Sequence, residues 1–244
     1  MISFENVSFS YNNKIEVISN MNFKINENEN VGIIGANGAG KSTILKLLVG
    51  LETNFTGKIL VDNLKVQKEN INKIREKIGY VFQDSDSQLF MPTVYEDIAF
   101  APKNYKLSKN EVELRTTEAM KQIGIENLKN RSIYSLSGGE KKLVSLATVL
   151  SMKPDILIFD EPTIALDPQN RRRFIETVSS LKSTKIITSH DLDLIYDTCE
   201  KTILISKGKI IKQGDTKEIL KDKNLLENNG LELPLSLSKC DIII

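Results

Sequence analysis

A glycine-rich stretch near the N-terminus has residue types and spacing that suit phosphate binding. It consists of Gly35, Ala36, Asn37, Gly38, Ala39, Gly40, Lys41, Ser42 and Thr43, and it contains the pattern G-x-x-x-x-G-K-[ST]. Its glycines let backbone N–H groups turn inward around an anion, and a helix beginning here adds the positive end of its dipole. Lys41 can reach the β- and γ-phosphates, and the Ser42 hydroxyl can ligate Mg²⁺. The stretch therefore predicts a site for a nucleoside triphosphate, against the alternative of a turn that only caps a helix.

Two adjacent acids follow an apolar run later in the chain. Residues 156–159 are apolar and lead directly into Asp160 and Glu161. A buried strand that ends in two acids places both carboxylates at the C-terminal edge of a sheet, where α/β proteins bind their ligands. We expect Asp160 to hold Mg²⁺, directly or through water, and Glu161 to polarise the water that attacks the γ-phosphate. The alternative is an acidic strand end in a solvated turn.

A second pair of glycines opens another helix. The segment Leu136, Ser137, Gly138, Gly139 and Glu140 has a hydroxyl and an acid at the spacing of a capping box. Capping alone does not explain the two glycines, because each costs roughly 1 kcal/mol against alanine inside a helix. Bare N–H groups at a helix start form a good anion receptor. Since the first loop already serves one nucleotide, we expect this segment to contact a nucleotide held by another subunit.

Two further side chains are candidates for the nucleotide site, although the sequence supports them less strongly. His190 is the single histidine and follows an apolar, strand-like run, which we expect to lie beside the strands that end at Ile34 and Asp160. Taken alone, such a histidine is more often packed or exposed than catalytic. Tyr11 follows the first strand; it is either an edge aromatic or a face on which a purine stacks.

Composition limits the class of protein. The 244 residues suffice for one sizeable α/β core, and 33 Lys and Arg against 32 Asp and Glu argue against a bulk footprint for nucleic acid. The two cysteines, Cys199 and Cys240, suit a reducing cytosolic compartment rather than a disulfide framework. The N-terminus lacks the pattern of a signal peptide, and no apolar run approaches the ~18 residues that span a bilayer. Any membrane spanning is therefore expected from other subunits.

The elements that must position these residues alternate between strand and helix. Strands are predicted within 1–25, with a turn at Asn12 and Asn13, and at 57–61, 78–82, 155–159, 185–188 and 202–205. Helices are predicted within 94–150, over 168–181, from Asp191 and over 215–220, with a hairpin at 208–211. This alternation predicts a largely parallel sheet with crossover helices and a helical insertion at about 84–150. We expect one ATPase domain over 1–222 and a short C-terminal extension over 223–244.

In these motifs and in their order, the chain resembles ATP-binding-cassette (ABC) ATPases, the motor subunits of ABC transporters. The resemblance covers nearly the whole chain and includes the phosphate loop, Gln83 at a strand end, the signature at 136–140, the pair Asp160 and Glu161, the D-loop at Ala165, Leu166 and Asp167, and the switch histidine His190. It implies an α/β P-loop NTPase core with an N-terminal antiparallel β-subdomain and a helical subdomain. It also implies a head-to-tail dimer that holds two ATP molecules. Each would lie between one subunit's phosphate loop and the Ser137, Gly138 and Gly139 of the other.

The same resemblance assigns roles to single residues. Gln83 is expected to sense Mg²⁺, His190 to contact the γ-phosphate and the attacking water, and Tyr11 to stack on adenine. Ile164 departs from the small residue that is usual before the D-loop, and Lys142 stands where glutamine or arginine is usual. Neither departure touches the catalytic set, so we expect an active ATPase.

Residues 83–100 resemble one branch of this family, the energy-coupling-factor ATPases that energise uptake of vitamins or of cobalt and nickel ions. The branch pattern is Q-N-P-D-x-Q-L-F-x-P-T-V-x-x-D-x-A-F, and this chain departs from it at Asp84 and Ser85, which stand in place of N-P. The segment 230–234 also resembles the end of proteins of this branch. Residues 89–91 are expected to form an exposed apolar cluster that docks a helix of a membrane partner. The alternative is a loop that packs on its own core.

The branch resemblance implies a peripheral ATPase at the cytoplasmic face of the cell membrane. Its expected partners are a transmembrane scaffold subunit, a substrate-binding membrane subunit, and a second ATPase copy in a homodimer or a related one in a heterodimer. The alternatives are the ATPase of an ABC exporter or of an importer with a solute-binding protein. Further from these is a soluble ABC-type ATPase of DNA repair or translation.

Overall fold

The computed structural model describes residues 1–12, 15–164 and 166–238. Within these ranges the strands are β1 (Ile2–Tyr11), β2 (Ile15–Ile25), β3 (Asn30–Ile34), β4 (Phe55–Val61), β5 (Leu64–Lys65), β6 (Ile78–Val81), β7 (Ile156–Asp160), β8 (Thr184–Thr188), β9 (Lys201–Ser206) and β10 (Lys209–Asp215). The helices are α1 (Lys41–Leu48), α2 (Ile71–Lys77), α3 (Val94–Asn104), α4 (Lys109–Ile123), α5 (Gly138–Leu150), α6 (Pro168–Ser180), α7 (Leu192–Thr198), α8 (Thr216–Lys221), α9 (Lys223–Glu227) and α10 (Leu235–Ser238). Asn13 of the predicted turn, Ala165 of the D-loop and Cys240 lie outside the described residues.

The strands form two sheets. The larger sheet has the order β10–β9–β3–β8–β7–β6; its strands run parallel except β10, which pairs antiparallel with β9. The smaller sheet is antiparallel, with the order β2–β1–β4–β5. The mixed α/β architecture with an N-terminal antiparallel sheet matches the sequence prediction. The order also places β8 between β3 and β7, as expected for the strand that precedes His190.

Burial explains why β7 is a run of apolar residues, whereas apolar and polar residues alternate along much of β1. All five residues of β7 are buried, as is usual for a central parallel strand covered on both faces. Strand β1 instead points Phe4 and Phe9 into a core between the two sheets, where Phe4 stacks on Phe23. Helix α1 also buries Leu45 and Leu47 in this core, so the antiparallel sheet supports the helix that follows the phosphate loop.

Helices α3, α4 and α5 lie between β6 and β7 in the chain and pack on one another. Ser108 caps α4 by accepting from the Glu111 N–H, and Gly124 ends the helix in the left-handed conformation, with φ of 70°. Both were predicted from the sequence. The interval 125–137 holds two short 3₁₀ turns instead of α-helix, because α4 ends at Gly124 and α5 begins only after the Ser137 cap.

Three short helices were not predicted: α2, α9 and α10. Each has seven residues or fewer, so little of a helical period is present in the sequence. Helices α7 and α8 are equally short but were predicted, each from a start at an aspartate. Leu226 and Leu231 pack into the core that faces the helices, so residues just beyond 222 pack on the body of the protein. The division at 222 remains a prediction.

In the part of the chain that the structure describes, no helix combines the length and apolarity needed to cross a membrane.

Candidate functional site

The phosphate loop connects the C-terminal end of β3 to α1, and two of its glycines lie against neighbouring elements. A Cβ on Gly35 would lie 2.3 Å from the Ile205 carbonyl oxygen. Gly40 has φ of 108°, and a Cβ there would lie 2.8 Å from Ile18 Cδ1. These two positions therefore require glycine for steric and conformational reasons.

The loop is also tied to the turn between β9 and β10. The Ala39 carbonyl accepts from the Gly208 N–H at 3.1 Å, and the Gly208 carbonyl accepts from the Ser19 N–H at 2.9 Å. The loop, β2 and this turn are thus joined by backbone hydrogen bonds.

Lys41 points its ammonium back into the loop. Its Nζ donates to the Gly35 carbonyl at 2.8 Å and lies 3.4 Å from Oε1 of Glu161. Both side chains are buried. A phosphate bound in the loop would therefore meet an ammonium group that is already held by a carboxylate.

Glu161 lies at the turn that follows β7. Its φ is 45°, a left-handed conformation that costs a residue with a side chain on the order of 1–3 kcal/mol. The Glu161 N–H donates to the Thr188 carbonyl at 2.9 Å, which ties this turn to the end of β8. Its Oε2 accepts from the His190 N–H at 3.1 Å and lies 2.8 Å from His190 Nδ1. The turn thus directs the carboxylate between Lys41 and His190.

Asp160 is held by three hydroxyl groups. Its Oδ1 accepts from Ser42 Oγ at 3.2 Å and from Thr188 Oγ1 at 2.7 Å, and its Oδ2 accepts from the Tyr80 hydroxyl at 3.0 Å. Burial and the nearby Asp160 charge raise the pKa of Tyr80. Sequence reasoning missed Tyr80 and Thr188. Only the strand order, with β6 and β8 on either side of β7, reveals them as neighbours of Asp160.

A cleft of about 400 Å³ brings most of the predicted residues together. Its walls are Val17, Asn37, Gly38, Ala39, Gly40, Lys41, Ser42, Thr43, Gln83, Glu161, Ile164 and His190. Gly35, Ala36 and Asp160 are not part of this lining, although Asp160 touches Ser42. Val17 was not singled out from the sequence.

Two residues of the cleft and the neighbouring Asp160 suit Mg²⁺. Ser42, Asp160 and Gln83 offer a hydroxyl, a carboxylate and an amide oxygen, which are the hard donors that this ion prefers. The Ser42 and Asp160 oxygens are already in contact, and Gln83 shares the cleft with Ser42. The residues present therefore fit the ion.

Tyr11 lies beside the loop, at the start of α1. Its hydroxyl is 3.4 Å from Thr43 Oγ1, and its ring meets Phe9 edge-on at 4.8 Å between centroids. The residue is 37% exposed, so part of its surface is open to a ligand. This position is compatible with contact to the base of a nucleotide whose phosphates occupy the loop.

The signature glycines are not part of the phosphate cleft. Gly138 opens instead on a neighbouring cleft of about 250 Å³, which shares Gln83 and Ile164 with the first. The capping box is formed: the Ser137 N–H donates to Oε2 of Glu140 at 2.8 Å, and the Glu140 N–H donates to Ser137 Oγ at 3.3 Å. The cap was predicted from the sequence. The expectation that these glycines contact a nucleotide of another subunit remains a prediction.

The two signature glycines differ in what surrounds them. A Cβ on Gly139 would lie 2.3 Å from the Asn170 side chain, which explains that glycine by packing. A Cβ on Gly138 would meet nothing within 4 Å among the described residues, and its backbone is helical. Contacts within the described chain therefore do not explain the absence of a side chain at Gly138.

The segment expected to be an exposed apolar cluster is exposed only in part. Phe90 is 57% exposed, but Leu89 is only 6% exposed and packs into the core that faces the helices. The prediction was wrong for Leu89, because Asp97 accepts from the N–H groups of Phe90 and Met91 at 2.9 and 2.8 Å and holds the turn against α3. Phe90 meets Phe100 edge-on. The exposed apolar surface is therefore formed by Phe90 with residues of α3.

Asp84, one of the two residues that depart from the branch pattern, stabilises a turn through its carboxylate. Its carboxylate accepts from the Asp86 N–H at 3.0 Å and from Ser87 Oγ at 2.7 Å. These hydrogen bonds lower the pKa of Asp84. An asparagine has a single side-chain oxygen, which could accept from the Asp86 N–H, while its NH2 group would face Ser87 Oγ as a donor. The exchange of asparagine for aspartate therefore replaces one of the two accepted bonds by a donated one.

Comparison with known proteins identifies relatives along the whole chain. The profile of the family described as ABC transporter matches residues 18–164. A putative ABC transporter ATP-binding protein of Geobacter sulfurreducens is 43% identical over 99% of this chain and 97% of its own. The energy-coupling factor transporter ATP-binding protein EcfA of Methanothermobacter thermautotrophicus is 39% identical over 96% of this chain and 77% of its own.

Solved structures agree with the sequence relatives. CbiO1 of Clostridium perfringens, part of the ABC transporter complex CbiONQ, superposes with a TM-score of 0.86 at 36% identity, covering 99% of this chain and 98% of its own. The cassette MJ0796, in a dimeric post-hydrolysis state bound to ADP and phosphate, has a TM-score of 0.77 at 28% identity and covers 88% of this chain and 99% of its own.

Proposed function

Because the chain belongs to the ABC transporter family, whose ATP-binding subunits hydrolyse ATP to drive transport, we propose that it energises an importer of the energy-coupling-factor type. Its cargo would be cobalt or nickel ions or a vitamin, carried by separate membrane subunits. The chain itself would bind at the cytoplasmic face of the membrane.

One observation carries the choice of branch. The segment 83–100, which follows the pattern of energy-coupling-factor ATPases, presents Phe90 to solvent on a turn held by Asp97. Beside Phe90, a groove of about 250 Å³ is bordered by Phe100 and Tyr105, which are also exposed. A helix of a membrane scaffold could seat an apolar side chain there. The likeness to EcfA and to CbiO1 supports the same branch.

Hydrolysis would be carried out by the residues around the cleft. Glu161 would orient and polarise the attacking water, and His190 would contact that water and the γ-phosphate. Lys41 would hold the β- and γ-phosphates, which would then compete with Glu161 for its ammonium group. Tyr11 would stack on adenine. Mg²⁺, held by Ser42, Asp160 and Gln83, would neutralise charge on the phosphates.

A second copy, or a related ATPase, would complete each site. The unexplained open space at Gly138 supports this, because a phosphate from outside the described chain could approach the helix N-terminus there. Ser137 and Gly139 lie in the same first turn and would contact that nucleotide too. Each ATP would then be shared between two subunits.

Reconstitution tests the proposal. The chain would be co-expressed with the membrane proteins encoded beside its gene, purified through the ATPase, and placed in liposomes. ATP-dependent uptake of radiolabelled cobalt, nickel or vitamins is the expected result, and the same complex with Glu161→Gln is the control. Co-purification with an exporter, or dependence on a soluble solute-binding protein, would assign the chain to another ABC branch.

A further inference from the structure

The loop that carries Gln83 is held by a buried lysine of the signature helix. Nζ of Lys142, on α5, donates to the Phe82 carbonyl at 3.0 Å and to the Gln83 carbonyl at 2.8 Å. Lys142 is only 3% exposed. The sequence marked this residue as no more than a variant of a usual glutamine or arginine.

Apart from these two carbonyl groups, few groups stabilise the buried ammonium of Lys142. Among the described residues, no carboxylate lies within ion-pair distance of its Nζ. Burial lowers the pKa of Lys142 to about 8, while the more distant charges of Asp84 and Asp160 act in the opposite direction. A buried lysine that is held mainly by two backbone carbonyls fixes the position of those carbonyls.

Gln88 makes a second connection between the same two elements. Its Oε1 accepts from the Phe82 N–H at 3.0 Å, and its Nε2 donates to the Ser145 carbonyl of α5 at 2.8 Å. Both polar groups of the Phe82 backbone are therefore tied, directly or through Gln88, to α5. The start of this helix carries Ser137 and Gly138.

We propose that Lys142 is a positioning residue that makes the Gln83 backbone and the signature helix move as one unit. A displacement of Gln83 in one nucleotide site would then displace the signature glycines that serve the other site. The two ATP sites of a dimer would be coupled through this side chain. The inference rests on the proposed roles of Gln83 and Ser137.

Three variants of the full chain test the proposal. Lys142→Met removes the donors at nearly constant length, and Lys142→Gln keeps two N–H donors on a shorter side chain. Lys185→Met is the matched control, because Lys185 is equally buried but donates to Asn30 at the opposite end of β8. Steady-state hydrolysis gives kcat, KM for ATP, the Hill coefficient and the Mg²⁺ concentration for half-maximal rate.

We expect Lys142→Met to lower kcat about tenfold while KM changes less than about twofold, and to reduce the Hill coefficient toward one. The half-maximal Mg²⁺ concentration should rise. Lys142→Gln should recover part of kcat and cooperativity. Lys185→Met should lower stability but leave all four quantities near those of the wild type.

Two results would overturn the proposal. One is a folded Lys142→Met protein with unchanged kcat and Hill coefficient; the other is equal loss in Lys142→Met and Lys185→Met. If Lys142→Met does not fold, hydrogen exchange of Lys142→Gln decides: the amides of residues 82–84 should exchange faster than in the wild type, and unchanged rates contradict the proposal. A wild-type protein that hydrolyses no ATP would contradict the proposed function instead.

Discussion

Glu161 and His190 contact each other across the ends of two neighbouring strands, with 2.8 Å between Oε2 and Nδ1. The other oxygen of Glu161 lies 3.4 Å from the Lys41 ammonium. The carboxylate therefore joins the phosphate loop to the end of β8. We expect a triphosphate that draws Lys41 away to leave the Glu161 carboxylate held by His190.

Replacing Glu161 with glutamine should stop turnover without preventing ATP binding. The amide cannot polarise water as the carboxylate does, so kcat should fall about 10²–10⁴-fold. Lys41 and Ser42 remain to hold the nucleotide. Size-exclusion chromatography with ATP and Mg²⁺ should then show an accumulated dimer. Hydrolysis near the wild-type rate would contradict the role assigned to Glu161.

Mixing two inactive variants should restore activity if each site is shared between subunits. Lys41→Ala damages the phosphate loop, and Ser137→Arg damages the signature. In a mixed dimer both lesions fall on one site and the other site is intact. ATPase assays over a range of mixing ratios should show partial recovery, with each variant alone as control. No recovery at any ratio counts against the shared site.

Gly138→Ala should separate stability from activity. Because a Cβ there meets nothing in the described chain, helix propensity should stabilise the isolated protein by up to about 1 kcal/mol. ATPase activity should nevertheless fall, since the methyl group would occupy space proposed for the other subunit's phosphate. Urea unfolding and hydrolysis measure the two effects. Gly139→Ala is the contrast, because its Cβ would displace Asn170 and lower stability as well.

Phe90→Asp and Leu89→Asp should fail in different ways. Phe90 is exposed, so its variant should fold and hydrolyse ATP at the basal rate, yet bind poorly to membrane vesicles that contain the scaffold. Leu89 is buried, so a charge there should cost several kcal/mol and unfold much of the protein. Vesicle sedimentation and thermal unfolding distinguish the two. A Phe90→Asp protein that stays bound and coupled would exclude this surface as the docking site.

The ion pair between Arg171 and Asp191 should make stability depend on pH. Its shortest distance is 2.7 Å. Burial raises the pKa of Asp191, but hydrogen bonds from Arg171 and from the Leu194 N–H outweigh it, so the pKa lies below its ordinary value. The stabilisation is therefore complete above the unfolded pKa of about 4 and disappears as pH falls through the lower folded pKa.

Arg171→Met should accordingly lower the free energy of unfolding by about 1–3 kcal/mol at pH 7, and by less at strongly acid pH. Urea unfolding at both pH values measures the difference. Arg173→Met serves as control, because Arg173 donates only to the Gly124 carbonyl among the described contacts. An equal loss at both pH values would contradict the attribution of this pH dependence to the ion pair between Arg171 and Asp191.

The sequence predicted those parts of the site that depend on local backbone chemistry. A turn, a helix start and a strand end explain Gly40, the Ser137 cap and the acids at the end of β7, respectively. Their types and spacing can therefore be recognised without tertiary information. The position of His190 followed from strand alternation, and the order β3–β8–β7 agrees with it.

Contacts between distant elements could not be predicted in this way. Tyr80 reaches Asp160 only because β6 is the neighbour of β7, and nothing in the β6 sequence distinguishes that tyrosine. Leu89 is apolar, like its neighbour Phe90, and its burial depends on how Asp97 of another element holds the turn. Lys142 likewise gains its partners through tertiary packing.

The backbone bonds that join the phosphate loop to Gly208 have a consequence for synthesis of the protein. Residues 35–43 are translated early, but both strands that flank β3, together with the Gly208 N–H that reaches Ala39, are translated more than 140 residues later. Such long-range pairing forms late and slowly. A nascent chain that has not yet exposed the β9–β10 turn therefore carries the whole loop sequence without its supports. We expect the ability to retain ATP to appear only after the β9–β10 turn has left the ribosome.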